Sequence, residues 1–313
     1  MTEFPIVPLV LRTRLAHAAL QSIADDCGAD ILHIKGSALD ASLLPVREGA
    51  PAHASPKERT VPRVSADADI LVRPMHLGRL LTKLPKFGWQ GKARFDTGGG
   101  ADHAAPFWHS ELGWADVHRS FPGIRLDPEL AFERLWLDRR LLSIAHHACP
   151  VPSIDGQRTV LLLHAARNGE SQGVDVRAAW TNATVAERDR IMNLATQLQA
   201  EVALAGALGR LDEFVDRPEH DLWRLFAADN PGRFDIWRAR MKAAQSAKER
   251  LHVLINPLRL KVDGLSGELG RKPTVPEILR FYGGRLWRDA VEIKAISDRR
   301  TCRRQRILSR RGR

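Results

Sequence analysis

The chain has 313 residues, 44% of them hydrophobic, and a formal net charge of +11. That length allows a sizeable buried core and favours two domains over one, while no apolar stretch reaches the eighteen or so residues a membrane span needs. Cys27, Cys149 and Cys302 are odd in number and scattered, which fits a reduced compartment and argues against a disulfide framework or a cysteine metal site. The start, Met1-Thr2-Glu3-Phe4-Pro5, lacks the basic-then-apolar pattern of a secretory signal, so the expected location is the cytoplasm, with no membrane partner. The charge is concentrated: residues 299–313 hold eight arginines and no acid, leaving about +3 for the rest. This basic tail either touches RNA or another polyanion or is a solvated terminus.

Leu9 to Cys27 places Leu11, Leu15, Ala16, Ala19, Leu20 and Ile23 at helical spacing and predicts an amphipathic helix covering a sheet. Ala29–Gly36 reads as an apolar strand ending at glycine. Ser37 then caps a helix running to Leu44, with Asp40 three residues on. A glycine at such a turn lets backbone N–H groups approach a phosphate, and a following helix N-terminus favours that charge. Residues 46–62 have no periodicity and read as a loop beside this turn.

The next stretch, Val61-Pro62-Arg63-Val64-Ser65-Ala66-Asp67-Ala68-Asp69-Ile70-Leu71-Val72-Arg73, organises the chain. In a strand, residues two apart share a face, so Asp67 and Asp69 point one way and Ala68, Ile70 and Val72 the other. Adjacent carboxylates repel unless a cation or a shared proton intervenes. Because Mg²⁺ takes a few carboxylates together with waters and substrate phosphates, the pattern points to metal-bound nucleotide. Surface strands also carry Asp-x-Asp by chance. Arg63 is either a guanidinium that contacts phosphate or orients a carboxylate, or an exposed strand-entry charge.

Leu77, Leu80, Leu81 and Leu84 predict a one-faced helix, followed by a strand from about Gln90 to Phe95 and a glycine turn at 98–100 that lacks the remaining features of a phosphate loop. His103 and His109 lie in or near that turn, where either could contact substrate, though scattered histidines beside a turn usually read as polar surface. Ala105–His109 and Leu112–Ser120 predict an antiparallel pair, the second strand putting Trp114, Asp116 and His118 on one face. Asp116 is thus available as a third carboxylate. His118 either contacts phosphate or accepts a proton, or simply orients Asp116.

These residues resemble a known family. Lys35-Gly36 at a strand end, Arg63-x-x-x-Asp67-x-Asp69-x-Leu71-Val72, and Asp116-Val117-His118 look like the signature of the uncharacterised nucleotidyltransferase family within the DNA-polymerase-β-like superfamily. The resemblance covers roughly residues 25–150, and more loosely the helix of His164. It implies an α/β (α+β) domain with a small mixed sheet, at 1–152; the residue pattern itself changes to helices near Asp155, giving a helical domain at 153–298 before the basic tail at 299–313. It implies an enzyme in which Lys35, Gly36, Ser37, Arg63 and His118 surround an NTP such as ATP, while Asp67, Asp69 and Asp116 bind two Mg²⁺ ions. Asp116 would stand nearest the attacking oxygen. The acceptor would be a hydroxyl of RNA or tRNA, of a protein, or of a small molecule. The linker between the Gly-Ser turn and the aspartate pair is longer than in minimal members. The competing reading is a non-catalytic nucleotide- or RNA-binding module that keeps the fold.

Beyond these motifs, Asp127-Pro128-Glu129 opens a helix to about Leu137 with Asp as cap and Pro in the first turn. His146, His147 and Cys149 fit no closed zinc site and lie in a strand or hinge. Thr159–Arg167 predicts a helix carrying His164, at the cleft or between domains. Helices are expected near 184–206, 218–227, 232–261 with a break at Pro257, 275–281 and 284–297, around a core containing Trp180, Trp223, Trp237 and Trp287. His220-Asp221 reads as a first helical turn rather than a metal motif.

Overall fold

The segment from Leu9 to Cys27 contains neither glycine nor proline and folds as one helix, α1 (Leu9–Cys27), closed by Gly28 in the left-handed region at φ 63°. The computed structural model describes residues 7–44, 65–92, 95, 103–228, 231–255, 274–277 and 280. The chain divides into two compact units, Met1–Leu254 and Ile255–Arg313. In the second, residues 275–277 are helical and Thr274 N donates to Glu277 Oε2 at 2.7 Å. The fold and site geometry described below belong to the first.

Its fold is mixed α/β. Strands β1 (Ile31–Ile34), β2 (Asp67–Val72), β3 (Gln90–Gly91), β4 (Ala104–His109) and β5 (Gly113–His118) form a sheet in the order β1-β2-β5-β4-β3. Only β2 and β5 run parallel; the other neighbours are antiparallel. Helix α2 (Leu77–Lys83) lies in the crossover between them. Alternation along the strands builds two cores. Ala68, Ile70, Val72, Ala115 and Val117 pack with Ala16, Leu20, Leu80 and Trp89 from the α1 and α2 side. Leu32, Ile34 and Leu71 face the opposite way.

That second face is covered by helices. After α3 (Pro128–Leu137), capped by Asp127, come the hairpin β6 (Arg140–Ile144) and β7 (His147–Val151) and the helix α4 (Ile154–Asn168). Phe121, Phe132, Leu135 and Leu161–Leu163 join Leu32, Ile34 and Leu71 in one core. A turn at Val174–Val176 runs into a π-helical stretch, Arg177–Thr181, and then α5 (Val185–Gln197), α6 (Glu201–Ala207), α7 (His220–Phe226), α8 (Arg233–Ala243) and α9 (Ala247–Ile255) complete the unit. Trp223 is buried in this core, Trp180 packs against it, and Trp237 donates to Val253 O at 3.1 Å. Among the described residues no helix is long and apolar enough to cross a membrane.

Several expectations need correction. The helix expected from Ser37 to Leu44 is instead two 3₁₀ turns, Gly36–Ala38 and Ala41–Leu43, separated by extended Leu39 and Asp40. Asp40 caps the second turn through Ser42 N at 3.0 Å and has no part in a capping box with Ser37. On α1, Leu11 and Leu15 are exposed, whereas the polar Thr13, His17 and Gln21 are buried. The polar residues go inward because they find partners there: His17 Nδ1 meets His33 Nδ1 at 2.8 Å, and His33 Nε2 meets Gln21 Oε1 at 2.9 Å. Of the strand expected over Gln90–Phe95, the described residues form a strand at Gln90–Gly91, with Lys92 N donating to Pro106 O at 2.9 Å. The 184–206 helix is interrupted at left-handed Gln199, φ 52°, and the 232–261 helix breaks at Ala244–Ser246. The loop at 46–62, the glycines at 98–100, Pro257, Trp287, the 284–297 helix and the basic tail lie outside the described residues.

Candidate active site

The parallel register sets Asp69 opposite Asp116, Asp67 opposite Trp114 and Leu71 opposite His118. Strand alternation then presents Asp67, Asp69, Trp114, Asp116 and His118 on one face. Asp69, Asp116 and His118 each offer a ligand atom lying within 4.8 Å of the others, the one such group among the described residues. Asp67 stands outside that set; its Oδ1 accepts from Ser65 Oγ at 3.0 Å.

Asp69 is buried, and its Oδ1 accepts from both Lys35 Nζ and His118 Nε2, each at 2.9 Å. Burial alone would raise this carboxyl's pKa. The His118 hydrogen bond and the Lys35 ammonium more than offset it and hold the pKa down at about 2. Asp116 moves the other way: burial raises its pKa, and the charges of Asp69 and Asp67 add to the rise against the opposing pull of His118 and Lys35. Excess negative charge thus gathers at Asp116. It is the position a cation would relieve.

Lys35 reaches Asp69 through an unusual backbone. It follows the last residue of β1 with φ 60° and ψ −176°, a region nearly reserved for glycine and costing on the order of 1–3 kcal/mol. Gly36, at φ 49°, is packed so tightly that a Cβ there would lie 2.8 Å from Ser65 Cβ. Ser65 in turn braces Asp67, donating to its backbone oxygen at 2.9 Å. The Lys35-Gly36 turn and the entry to β2 therefore form one packed unit. Ser37 lies half-buried in the three-residue turn Gly36–Ala38, which is too short to supply the helix-terminus field expected for phosphate. The close backbone approach at Gly36 is what remains. Arg63 lies outside the described residues.

His118 Nε2 carries a proton, because its partner oxygen is an ionised carboxylate. Its Nδ1 is buried without a hydrogen-bond partner among the described residues, and its ring stacks on His103 with centroids 5.6 Å apart. Burial, together with the positive field of His118, Arg167, Lys35 and Arg240, pushes the His103 pKa down to about 3. His103 is therefore neutral, and it belongs to the wall of the site rather than the polar surface. The sequence offers His103 as a substrate contact only by its nearness to a turn and gives no signal for Ser65, since each gains its place from a distant neighbour, His118 and Gly36.

The remaining polar residues have local tasks. His109 Nδ1 accepts from Glu111 N at 3.1 Å and closes the β4–β5 turn. His147 Nε2 pairs with Asp25 at 3.3 Å, and burial pushes the Cys149 thiol up to about 12, leaving it inert as a ligand. His164 Nε2 accepts from Asn168 Nδ2 at 3.2 Å along α4. His220 begins α7, and the following Asp221 is bound by Lys242 at 2.8 Å.

The residues fit a hard divalent cation. Asp69 and Asp116 supply oxygen donors with surplus negative charge, while His118, already bonded to Asp69, is placed to orient a ligand rather than replace one.

No family model matches this sequence, and no curated protein matches it. Among solved structures it is similar to the lincomycin-bound lincosamide antibiotic adenylyltransferase LnuA, at 16% identity and a TM-score of 0.32, over 59% of this chain and 96% of that one. The antibiotic-resistance factor ANT(2'')-Ia is similar at 13% identity and a TM-score of 0.35, over 67% and 97%. An antigenic nucleotidyltransferase-like protein from Paracoccidioides brasiliensis is similar at 16% and 0.35, over 64% and 93%. At these TM-scores no residue's role is carried across from them.

Proposed function

We propose that this chain is a Mg²⁺-dependent nucleotidyltransferase that moves an NMP from an NTP to a hydroxyl acceptor. The observation that carries the reading is the pairing of Asp69 with Asp116 on adjacent parallel strands, their ligand atoms and that of His118 within 4.8 Å. Beside the ionised Asp69, Asp116 takes up its own charge more readily with a cation present, and nucleotidyl transfer is a reaction that uses such cations beside a polyphosphate.

Two Mg²⁺ ions at Asp67, Asp69 and Asp116 would supply charge neutralisation for the pyrophosphate and acidify the acceptor hydroxyl. The protein's own residues do the positioning. His118 and Lys35 fix the Asp69 carboxylate from two directions. Lys35, Gly36 and Ser37 lie on the β1 side of the aspartates and take the phosphates there, Gly36 by leaving no side chain at the turn, with Arg63 in support. Asp116, on the β5 side, stands nearest the acceptor oxygen. Residues 1–152 carry this chemistry, and residues 153–298 help to choose the acceptor. RNA is the acceptor class favoured by the eight arginines of residues 299–313.

Thermal unfolding with Mg²⁺ and each NTP tests binding at the site. A ligand at about 100 times its Kd stabilises the folded state by about 2.7 kcal/mol, a rise of roughly 5–10 °C for a unit of this size. The wild type shows that rise with Mg²⁺ and NTP together, and Asp69→Asn does not. A wild type that melts at the same temperature with and without every Mg²⁺·NTP contradicts the reading.

A further inference from the structure

Trp114 is the one exposed tryptophan among the described residues, with 42% of its surface open to solvent, and it stands in the same row as Asp116 and His118. Tryptophan is among the most buried side chains on average, so an open one beside a charged site is unusual. It is also held in place. Trp108 lies directly across the β4–β5 ladder, and the two rings pack with centroids 5.0 Å apart at an interplanar angle of 59°. Pairing fixes one side of the Trp114 ring and leaves the rest available.

The position relative to the aspartates gives this surface its meaning. Asp67 is the register partner of Trp114 across β2 and β5. The Lys35-Gly36 turn, packed on Ser65, lies on the other flank of β2. Asp67 and Asp69 on β2 thus separate the turn from the tryptophans, Trp114 standing two strand spacings from β1, about 10 Å, and Trp108 three. In an in-line displacement the incoming oxygen and the leaving pyrophosphate occupy opposite sides of the reacting phosphorus. With the phosphates on the β1 flank, the acceptor enters over β5 and β4.

Resting on the nucleotidyl-transfer reading above, we propose that the Trp108–Trp114 pair is the acceptor subsite and that it takes a nucleobase. The base stacks on Trp114 and its ribose hydroxyl falls over Asp116, two residues further along the same strand face. Aromatic rings accept any base because every base offers a π-face, and stacking of this kind is the ordinary means of holding single-stranded nucleic acid. The arginine-rich sequence of residues 299–313 matches the same class of acceptor. The base could belong to a free nucleotide or to the end of an RNA strand, and the two are separable.

The test uses the full chain loaded with Mg²⁺ and a non-hydrolysable ATP analogue. Three probes are titrated by equilibrium dialysis: AMP, a single-stranded RNA oligonucleotide, and ribose 5-phosphate, which has no base. The proposal predicts that a base-bearing probe binds, that ribose 5-phosphate does not, and that Trp114→Ala weakens the base-bearing probe about 5- to 150-fold, the range spanned by base stacking on an aromatic ring. Trp114→Phe retains most of the binding. Both variants keep the wild-type thermal shift with Mg²⁺·NTP, which shows that they are folded and that the nucleotide side is intact. Binding of RNA alone identifies a strand end as the acceptor, and binding of AMP as well identifies the free nucleotide. Equal affinity of wild type and Trp114→Ala for the RNA and AMP, or no binding of either by a wild type that still responds to Mg²⁺·NTP, overturns the subsite alone. A wild type with no Mg²⁺·NTP response removes the nucleotidyl-transfer reading and the subsite with it.

Discussion

Lys35 and Asp69 stand on neighbouring strand ends with ammonium and carboxylate 2.9 Å apart, and the contact depends on a backbone that a non-glycine residue rarely adopts. Simple alternation from Ile34 would turn residue 35 toward the α1 side of the sheet. The positive φ redirects it to the acidic face. Local strain and a buried ion pair therefore belong to a single feature.

Removing one partner of that pair leaves the other buried and uncompensated, which typically costs about 3–5 kcal/mol. Lys35→Met is expected to lose stability of this order. Lys35→Met combined with Asp69→Asn loses less than the sum of the two single changes, because no lone charge is left. Urea unfolding of the four proteins gives the coupling directly.

Gly36→Ala faces both a positive φ and a Cβ 2.8 Å from Ser65 Cβ. The expected loss is about 1–3 kcal/mol. Adding Ser65→Gly removes the collision but not the dihedral cost, so melting temperatures of the single and double variants recover in part and never fully.

His17 and His33 are wholly buried and bonded to each other. Burial lowers the His17 pKa from 6.5 to about 4, and burial with the fields of His17 and His147 holds that of His33 well below 6.5. The unfolded chain binds these protons more readily than the folded one, so stability is full above pH 6.5 and falls as the pH drops from there toward 4. His17 alone contributes on the order of 3 kcal/mol to that loss. Urea midpoints across this range are expected to fall with pH in the wild type, and to fall less steeply in a His17→Leu, His33→Leu variant.

Arg73 joins the end of β2 to α3, donating to Asp30 at 2.8 Å, Glu129 at 3.0 Å and Glu133 at 2.6 Å, with its guanidinium 4.8 Å from the Phe132 ring centroid. The three carboxylates are partly exposed and screened by solvent, so Arg73→Ala is expected to cost about 2 kcal/mol, less at high salt. Arg73→Lys recovers little, since an ammonium lacks the planar fork that reaches several acids at once. Guanidinium-free chemical denaturation at two salt concentrations measures both effects.

Elements with strong local signals were legible in the sequence. The limits of α1, the Asp127-Pro128 start of α3 and the alternation that puts Asp116 and His118 on one face depend on neighbours in the chain, and the structure reproduces them. The inward face of α1 was hidden because His17 and Gln21 look like surface residues until His33 of β1 lies opposite. The Ser37 helix failed for a similar reason. Asp40 N donates to Gln157 Oε1 at 2.7 Å and Arg140 binds the Asp40 carboxylate at 2.8 Å, and these distant contacts hold Asp40 extended where the local pattern favours a helix. At the site, spacing revealed the carboxylates, but Ser65 and His103 derive their roles from the Gly36 and His118 side chains and backbone packed against them.

The fate of the α-phosphate tests the central claim most directly. The protein is incubated with Mg²⁺ and NTP labelled at either the α- or the γ-phosphate, together with total RNA or protein, beside an Asp67→Ala, Asp69→Ala variant. The account predicts that the α label enters an acceptor while the γ label leaves as pyrophosphate, and that the variant transfers neither. Transfer of the γ label, or equal α labelling by wild type and variant, would contradict it.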